Sequence, residues 1–317
     1  MTEQTDPQAP SRLARRLRAG QVVVTAEINP PRHAGGEAVR RQARTLRGVV
    51  DAANVTDCTR GIVRMSATAA ALLVREEGVE PIMEMTCRDR NRIALQSELL
   101  GLSALGLYNV LLLSGDDPKG GDQPDAKPVF DMNGTELLAV ANRLRRDGTL
   151  MGADRRMSQP PVLYLGAAGD PERDLKQPDN MTLAAKAEAG GDFIQTQPAF
   201  DVERFAQWVA LARERGLTER LNILGGVFVL DSARRAEFLK ESVPGIVMPD
   251  ATIQRLAAAS DPKAEGIRLA IEQVEALLAL DGVRGVHLMG IEATEAFRAV
   301  VEGSSLARHV AAPDRVT

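Results

Sequence analysis

The chain has 317 residues, 44% of them hydrophobic and 26% charged, with a formal net charge of −4. That is enough apolar material for a large core, in one large domain or two small ones. The acidic balance and an aromatic content of 3% argue against a nucleic-acid partner, since no basic face stands out beyond "RLARRLR" and stacking platforms are scarce.

Read from the N-terminus, residues 1–10 show no periodic pattern and are expected to be flexible. No apolar stretch of the secretory type precedes Val22. "SRLARRLRAG" reads as a short helix, with Ser11 as N-cap, Leu13 and Leu17 on one face and Gly20 as the stop. Its expected place is a lid over the bottom of the fold. Nowhere does an apolar run reach the roughly 20 residues that a membrane span needs, so no membrane partner is expected.

From there short β-rich runs alternate with helical stretches. The runs are "QVVVTAEI" (21–28), "VVDAANVTD" (49–57), "VEPIMEMTC" (79–87), "NVLLLSGD" (109–116), "PVLYLGAAG" (161–169), "DFIQTQPAF" (192–200), "LNILGGVFVL" (221–230) and "GVRGVHLMGI" (282–291). Short, continuous apolar runs suit strands buried on both faces, as in a parallel sheet. Helical patterns such as "MSATAAALLVREEG" and "DVERFAQWVALARERG" lie between them, with Asp201 near the start of the second. In "NGTELLAVANRLRRDG" Thr135 reads as an early cap and Gly148 as the stop. Each run but the last is clearly followed by a helix. The pattern predicts an α/β fold, a single-domain (β/α)8 TIM barrel over 1–317 with a short N-terminal helix. A doubly wound open sheet is the alternative, weakened by the lack of a glycine-rich phosphate motif at a strand–helix turn. The Pro/Gly/Asp-rich stretch "GDDPKGGDQPDAKPVFDMNG" reads as an active-site loop.

In such a barrel, chemistry collects at the C-terminal ends of the strands. Val23, Thr25 and Glu27 share one strand face. If that face is interior, Glu27 is a partly desolvated carboxylate, suited to proton donation. The alternative is a solvated acid on a strand-to-loop turn. Asp116, after "LLLSG", can accept hydrogen bonds from a nitrogen-rich heterocycle, with Gly115 letting the backbone approach a flat ligand; it also fits the start of a β-turn. Gln197 offers a donor and an acceptor to a ring edge, or is a satisfied buried amide. Asp57 ends the second run, and Thr86 stands next to last in the third. The two cysteines, Cys58 and Cys87, are too few for an iron–sulfur cluster and suit a reducing cytoplasm. The three histidines are far apart in sequence, so no protein-held metal is expected.

The pieces "TAEINPPR", "EMTCRDRN", "LLLSGDDP", "AEAGGDFIQTQPAFD" and "GGVFVL", in that order, resemble the methylenetetrahydrofolate reductase family of flavin-dependent barrels. The likeness runs from about Leu13 to Glu292, and "VTDCTRGIVRMS" resembles the branch found in anaerobic one-carbon pathways. It implies reduction of 5,10-methylenetetrahydrofolate to 5-methyltetrahydrofolate, with FAD as first choice and FMN as second. It implies Glu27 as the general acid toward N10, Asp116 as the acid between flavin and pterin, and Gln197 as a reader of the pterin ring. Ser114 and Gly115 fall where the backbone meets the flavin. Asp57, Thr86, Phe130, Ala167, Asp179 and Lys186 fall at positions lining the flavin and its tail. The implied electron donor is NAD(P)H or an electron-transfer subunit, and a homo-oligomer is allowed. Four positions depart from the better-known bacterial pattern: Glu84 for a flavin-contacting histidine, Ala185 and Glu292 for arginines, and Ala233 for a stacking phenylalanine. Competing readings are a folate-binding methyltransferase barrel and a non-catalytic subunit that docks on an electron-transfer partner.

Overall fold

The computed structural model describes residues 9–243, 245–291 and 293–309. Eight parallel strands close in sequence order into one barrel. They are β1 (Val23–Ile28), β2 (Ala52–Val55), β3 (Pro81–Thr86), β4 (Asn109–Leu113), β5 (Tyr164–Gly169), β6 (Phe193–Pro198), β7 (Asn222–Phe228) and β8 (Val283–Met289). Each falls inside one of the eight apolar runs. The seam between β1 and β8 sets Thr25 beside His287. The expected (β/α)8 barrel is therefore the fold observed.

Two details differ from the sequence reading. β8 is followed by a helix, Thr294–Gly303, like its predecessors. The helix Gly134–Asp147 is capped by Asn133, not Thr135: Asn133 accepts from the amides of Thr135 and Glu136, and Glu136 returns a bond to the Asn133 N–H. Asparagine with glutamate three positions on is a capping box, and a threonine inside the first turn cannot reach those amides.

Outward side chains of the strands join the helices in the main core, where Trp208, Phe205, Leu95 and Met83 are buried. Inward side chains form a separate apolar floor: Val23, Ala52, Ile82, Leu111, Tyr164, Phe193 and Leu224. Helix α1 (Arg12–Arg18) closes that floor from below with Leu13, Ala14 and Leu17, as expected of the lid. Ser11 caps α1 and donates to Asn109 Oδ1 at 2.6 Å. Glu80 accepts from the Arg12 and Leu13 amides, satisfying donors that a helix start leaves open. Ala9 and Pro10 are buried; residues 1–8 of the segment expected to be flexible lie outside the described residues.

Candidate active site

Above the apolar floor the barrel interior turns polar. Thr25, Asn54, Glu84, Gln195 and His287, from five different strands, are all buried. Asn54 Nδ2 donates to Glu84 Oε1 at 3.0 Å and to Gln195 Oε1 at 2.7 Å. Gln195 Nε2 returns a bond to Asn54 Oδ1 and reaches Thr25 Oγ1, each at 2.9 Å. Thr25 Oγ1 lies 2.9 Å from His287 Nδ1. His287 Nε2 in turn stands 3.9 Å from Glu27 Oε1. Buried polar groups must be paired, and here each meets the next around the barrel axis.

Glu27 sits on the upper side of this layer. Its side chain is 22% exposed, so it faces both the network and the mouth. The alternation along β1 thus does turn Val23, Thr25 and Glu27 inward. Glu84 is the deeper acid, 7% exposed. Its carboxyl is pushed up to about 8, first by burial, then by the charge of Glu27 and, less strongly, of Asp57.

Around the rim, Asp57 and Thr86 hold one another. The Thr86 amide and hydroxyl both donate to Asp57 Oδ2 at 2.9 Å, and Arg90 adds a bond at 2.7 Å. Gly115 has φ +91°, and a Cβ there would lie 3.0 Å from Thr86 Cβ and 3.1 Å from Arg88 Cβ. The need for glycine at 115 therefore comes from the neighbouring strand end. Asp116 is exposed and accepts the Arg60 amide at 2.7 Å. The Arg60 guanidinium lies over the Phe238 ring, 5.5 Å from its centroid. A contact thus runs from the β4 end through the β2 loop to the helix after β7. Gln197 is half-buried, beside a register shift in the β6–β7 pairing.

A cleft of about 450 Å³ opens beside the tops of β4 and β5, lined among others by Ser114, Gly134, Ala168, Arg173, Ala185 and Lys186. Gly134 accepts no side chain there, since a Cβ would lie 2.9 Å from the Ser114 nitrogen. Lys186 Nζ donates to the Ala168 carbonyl at 2.6 Å, and burial pulls its pKa down. Small residues with two cations make a cleft that fits a flat ring system bearing a phosphate tail.

The expected cofactor residues distribute unevenly around it. Ser114 and Lys186 line the cleft. Ala167 belongs to the outer core, and its neighbour Ala168 faces the cleft. Asp179 is fully exposed, 3.7 Å from Arg215. Phe130 is exposed at φ +41° in the loop after β4. Of the four departures, Ala185 lines the cleft, Ala233 opens the helix Ala233–Ser242, and Glu292 lies outside the described residues. The sequence reading missed Asn54, Gln195 and Arg173 as site residues. Within their own strands, period-two alternation puts Asn54 on the face of Ala52 and Gln195 on the face of Phe193 and Gln197, the signal that marks both as inward-facing.

Comparison with known proteins adds the decisive point. The family model of methylenetetrahydrofolate reductase matches residues 12–305. The chain belongs to the methylenetetrahydrofolate reductase family. A probable methylenetetrahydrofolate reductase (NADPH) of Caenorhabditis elegans is 30% identical over 173 residues, 53% of this chain and 23% of the relative. Methylenetetrahydrofolate reductase (NADH) 1 of Arabidopsis thaliana is 28% identical over 228 residues, 66% of this chain and 35% of the relative. The family domain here thus spans about a quarter to a third of the length of these relatives. Among solved structures, an uncharacterized Clostridium thermocellum protein that binds two copies of 5-methyl-5,6,7,8-tetrahydrofolic acid shares the fold, at TM-score 0.65 and 16% identity. It covers 92% of this chain and 99% of its own. No helix among the described residues is long and apolar enough to cross a membrane.

Proposed function

We propose that this chain reduces 5,10-methylenetetrahydrofolate to 5-methyltetrahydrofolate, with Glu27 as general acid and a flavin, FAD before FMN, as cofactor. The observation that carries the reading is the placement of Glu27: an interior carboxyl at the mouth of a family-member barrel, 3.9 Å from His287. Protonation of N10 by Glu27 opens the five-membered ring of the substrate and leaves a 5-iminium cation. Asp116 places negative charge near that cation, and an exposed carboxylate with one oxygen on the Arg60 amide keeps acceptor capacity for a pterin edge. Gln197 supplies a donor and an acceptor to the same ring. When bound, reduced flavin supplies the hydride. Lys186 and Arg173 would hold its phosphate-bearing tail, and Ser114 and Ala168, which line the cleft, would leave room for its rings, with Gly115 adjoining Ser114. Fixing two flat rings against one another is a large part of the rate.

NAD(P)H is the first electron donor to test, since relatives carry NADPH or NADH in their names. An electron-transfer subunit is the second. Purified protein loaded with FAD or FMN, reduced, and mixed anaerobically with the folate should turn over once. Glu27→Gln should keep the flavin and its reoxidation by an artificial acceptor, yet lose folate reduction. Wild-type turnover in that variant would remove the general-acid role. Methyl transfer from 5-methyltetrahydrofolate to an acceptor with no reductant present would favour the methyltransferase reading instead.

A further inference from the structure

The proposed reaction leaves a second cavity, at the rim of the barrel, without a use. About 670 Å³ opens between the loops that follow β1 and β2, with Val63, Met65, Ala69 and Leu73 as apolar wall and Arg32 and Arg64 in its lining. It shares no residue with the cleft beside β4 and β5. The two loops are bound to one another along this edge. The Met65 amide donates to the Pro31 carbonyl at 2.9 Å, and Arg64 Nη1 donates to the Pro30 carbonyl at 2.9 Å. The two cations differ in their partners. Arg32 Nη2 lies 2.6 Å from Asp122, which also accepts the Val63 amide at 3.1 Å. Arg64 is half-buried, and among the described residues it has no carboxylate partner. Its Nε is closed off from solvent without an acceptor.

A half-buried guanidinium that lacks a counter-charge, and an acceptor for one N–H, is costly to keep. A carboxylate is the anion that a guanidinium's planar fork matches best. Apolar walls beside that cation fit a carboxylate carried on an apolar body. The place of the cavity along the chain narrows the choice. Pro30 stands three residues after Glu27, about 11 Å at most along extended backbone, and Arg64 holds its carbonyl. In the substrate proposed above, the atom that Glu27 protonates, N10, carries an aminobenzoyl ring ending in glutamate. That appendage is comparable in length, apolar in its ring and anionic at its end. We propose that this rim cavity receives the aminobenzoyl-glutamate end of the folate, with a carboxylate on Arg64 and the ring against Val63 and Met65. This rests on folate being the substrate and on Glu27 meeting N10. Arg64 is then a specificity residue. It reads the end of the substrate away from the reacting carbon, so it acts on binding and not on the hydride step.

Equilibrium binding of two ligands to the flavin-loaded full-length protein tests this: 5-methyltetrahydrofolate, and 5-methyltetrahydropteroate, which lacks the glutamate. Wild type should bind the folate about tenfold or more tighter than the pteroate, as a charge-assisted pair implies. Arg64→Met keeps an unbranched apolar stem without the charge, and it should bind the two ligands alike, at the wild-type pteroate affinity. Arg64→Lys, which returns the charge, should recover part of the difference. Equal affinities in wild type, or a difference that survives Arg64→Met, overturn the proposal. So does a variant that loses pteroate as strongly as folate, since Arg64 then serves only to hold the β1 loop through Pro30. Arg64→Met should also leave NADPH affinity at its wild-type value. Weaker NADPH binding with folate binding intact gives the cavity to a phosphate of the electron donor and overturns the proposal. If wild type binds neither folate nor pteroate, the folate reading itself fails, and this inference with it.

Discussion

Glu84→Gln makes a prediction about stability, independent of any reaction. In the native barrel Glu84 keeps its proton up to about 8, against a value of 4.5 for a free glutamate. Between those limits the unfolded chain has released a proton that the folded chain holds. The unfolded state then binds fewer protons, so stability falls as pH rises. Below the lower limit both states are protonated, and above the upper limit both are ionised, so the effect is confined to that window. Each pH unit inside it corresponds to about 1.4 kcal/mol. From pH 5 to pH 8 wild type should therefore lose up to about 4 kcal/mol relative to Glu84→Gln, with solvent relaxation reducing that figure. Asp51 and Glu80, whose pKa values burial also raises, contribute to both proteins and cancel in the difference. Urea unfolding at four pH values from 5 to 8, with and without the substitution, measures it. Parallel curves for the two proteins would refute a buried, proton-retaining Glu84. A difference growing with pH in favour of the glutamine variant is expected.

Other perturbations test the remaining parts. Lys186→Met should weaken binding of a phosphate-bearing flavin by about tenfold or more, as loss of a charge-assisted bond implies, and leave riboflavin affinity unchanged; equal losses for both would place the phosphate elsewhere. Gly166→Ala would put a Cβ 2.3 Å from the Phe193 ring, which stacks on Tyr164 at 5.4 Å, so destabilisation of about 1–3 kcal/mol by overpacking should appear in denaturant melts. Leu13→Ala, at a fully buried position under the barrel, should cost about 2–5 kcal/mol in the same assay.

Much of the fold is legible in the sequence because its signals are local. The apolar runs mark buried strands, Ser11 and Gly20 bound α1, and β1 alternation alone orients Glu27. What fails is of two kinds. Local competition misleads where two polar residues both suit a cap, as with Asn133 and Thr135. One-residue precision is lost where small residues run together: Ala167 and Ala168 differ only in which face the pleat gives them. The central network is a separate case. Asn54, Gln195 and His287 come from β2, β6 and β8, and no spacing along the chain announces that barrel closure will join them. The family resemblance names Glu27, Asp116 and Gln197, yet it marks Glu84 only as a departure. Its chemistry emerges when burial and the charge of Glu27 are considered together.

The helix beneath the barrel has a consequence for how the chain folds. α1 precedes every strand in sequence, but the floor it covers is made of side chains from β1 to β7, as far away as Leu224. A seven-residue helix has little stability by itself, and until that floor exists Leu13 and Leu17 have nothing to bury against. Docking of α1 should therefore follow assembly of that floor, a long-range step of the slow kind that high sequence separation imposes. A mutation in this helix should act mainly on the rate at which the closed barrel opens, since its contacts form after the rest.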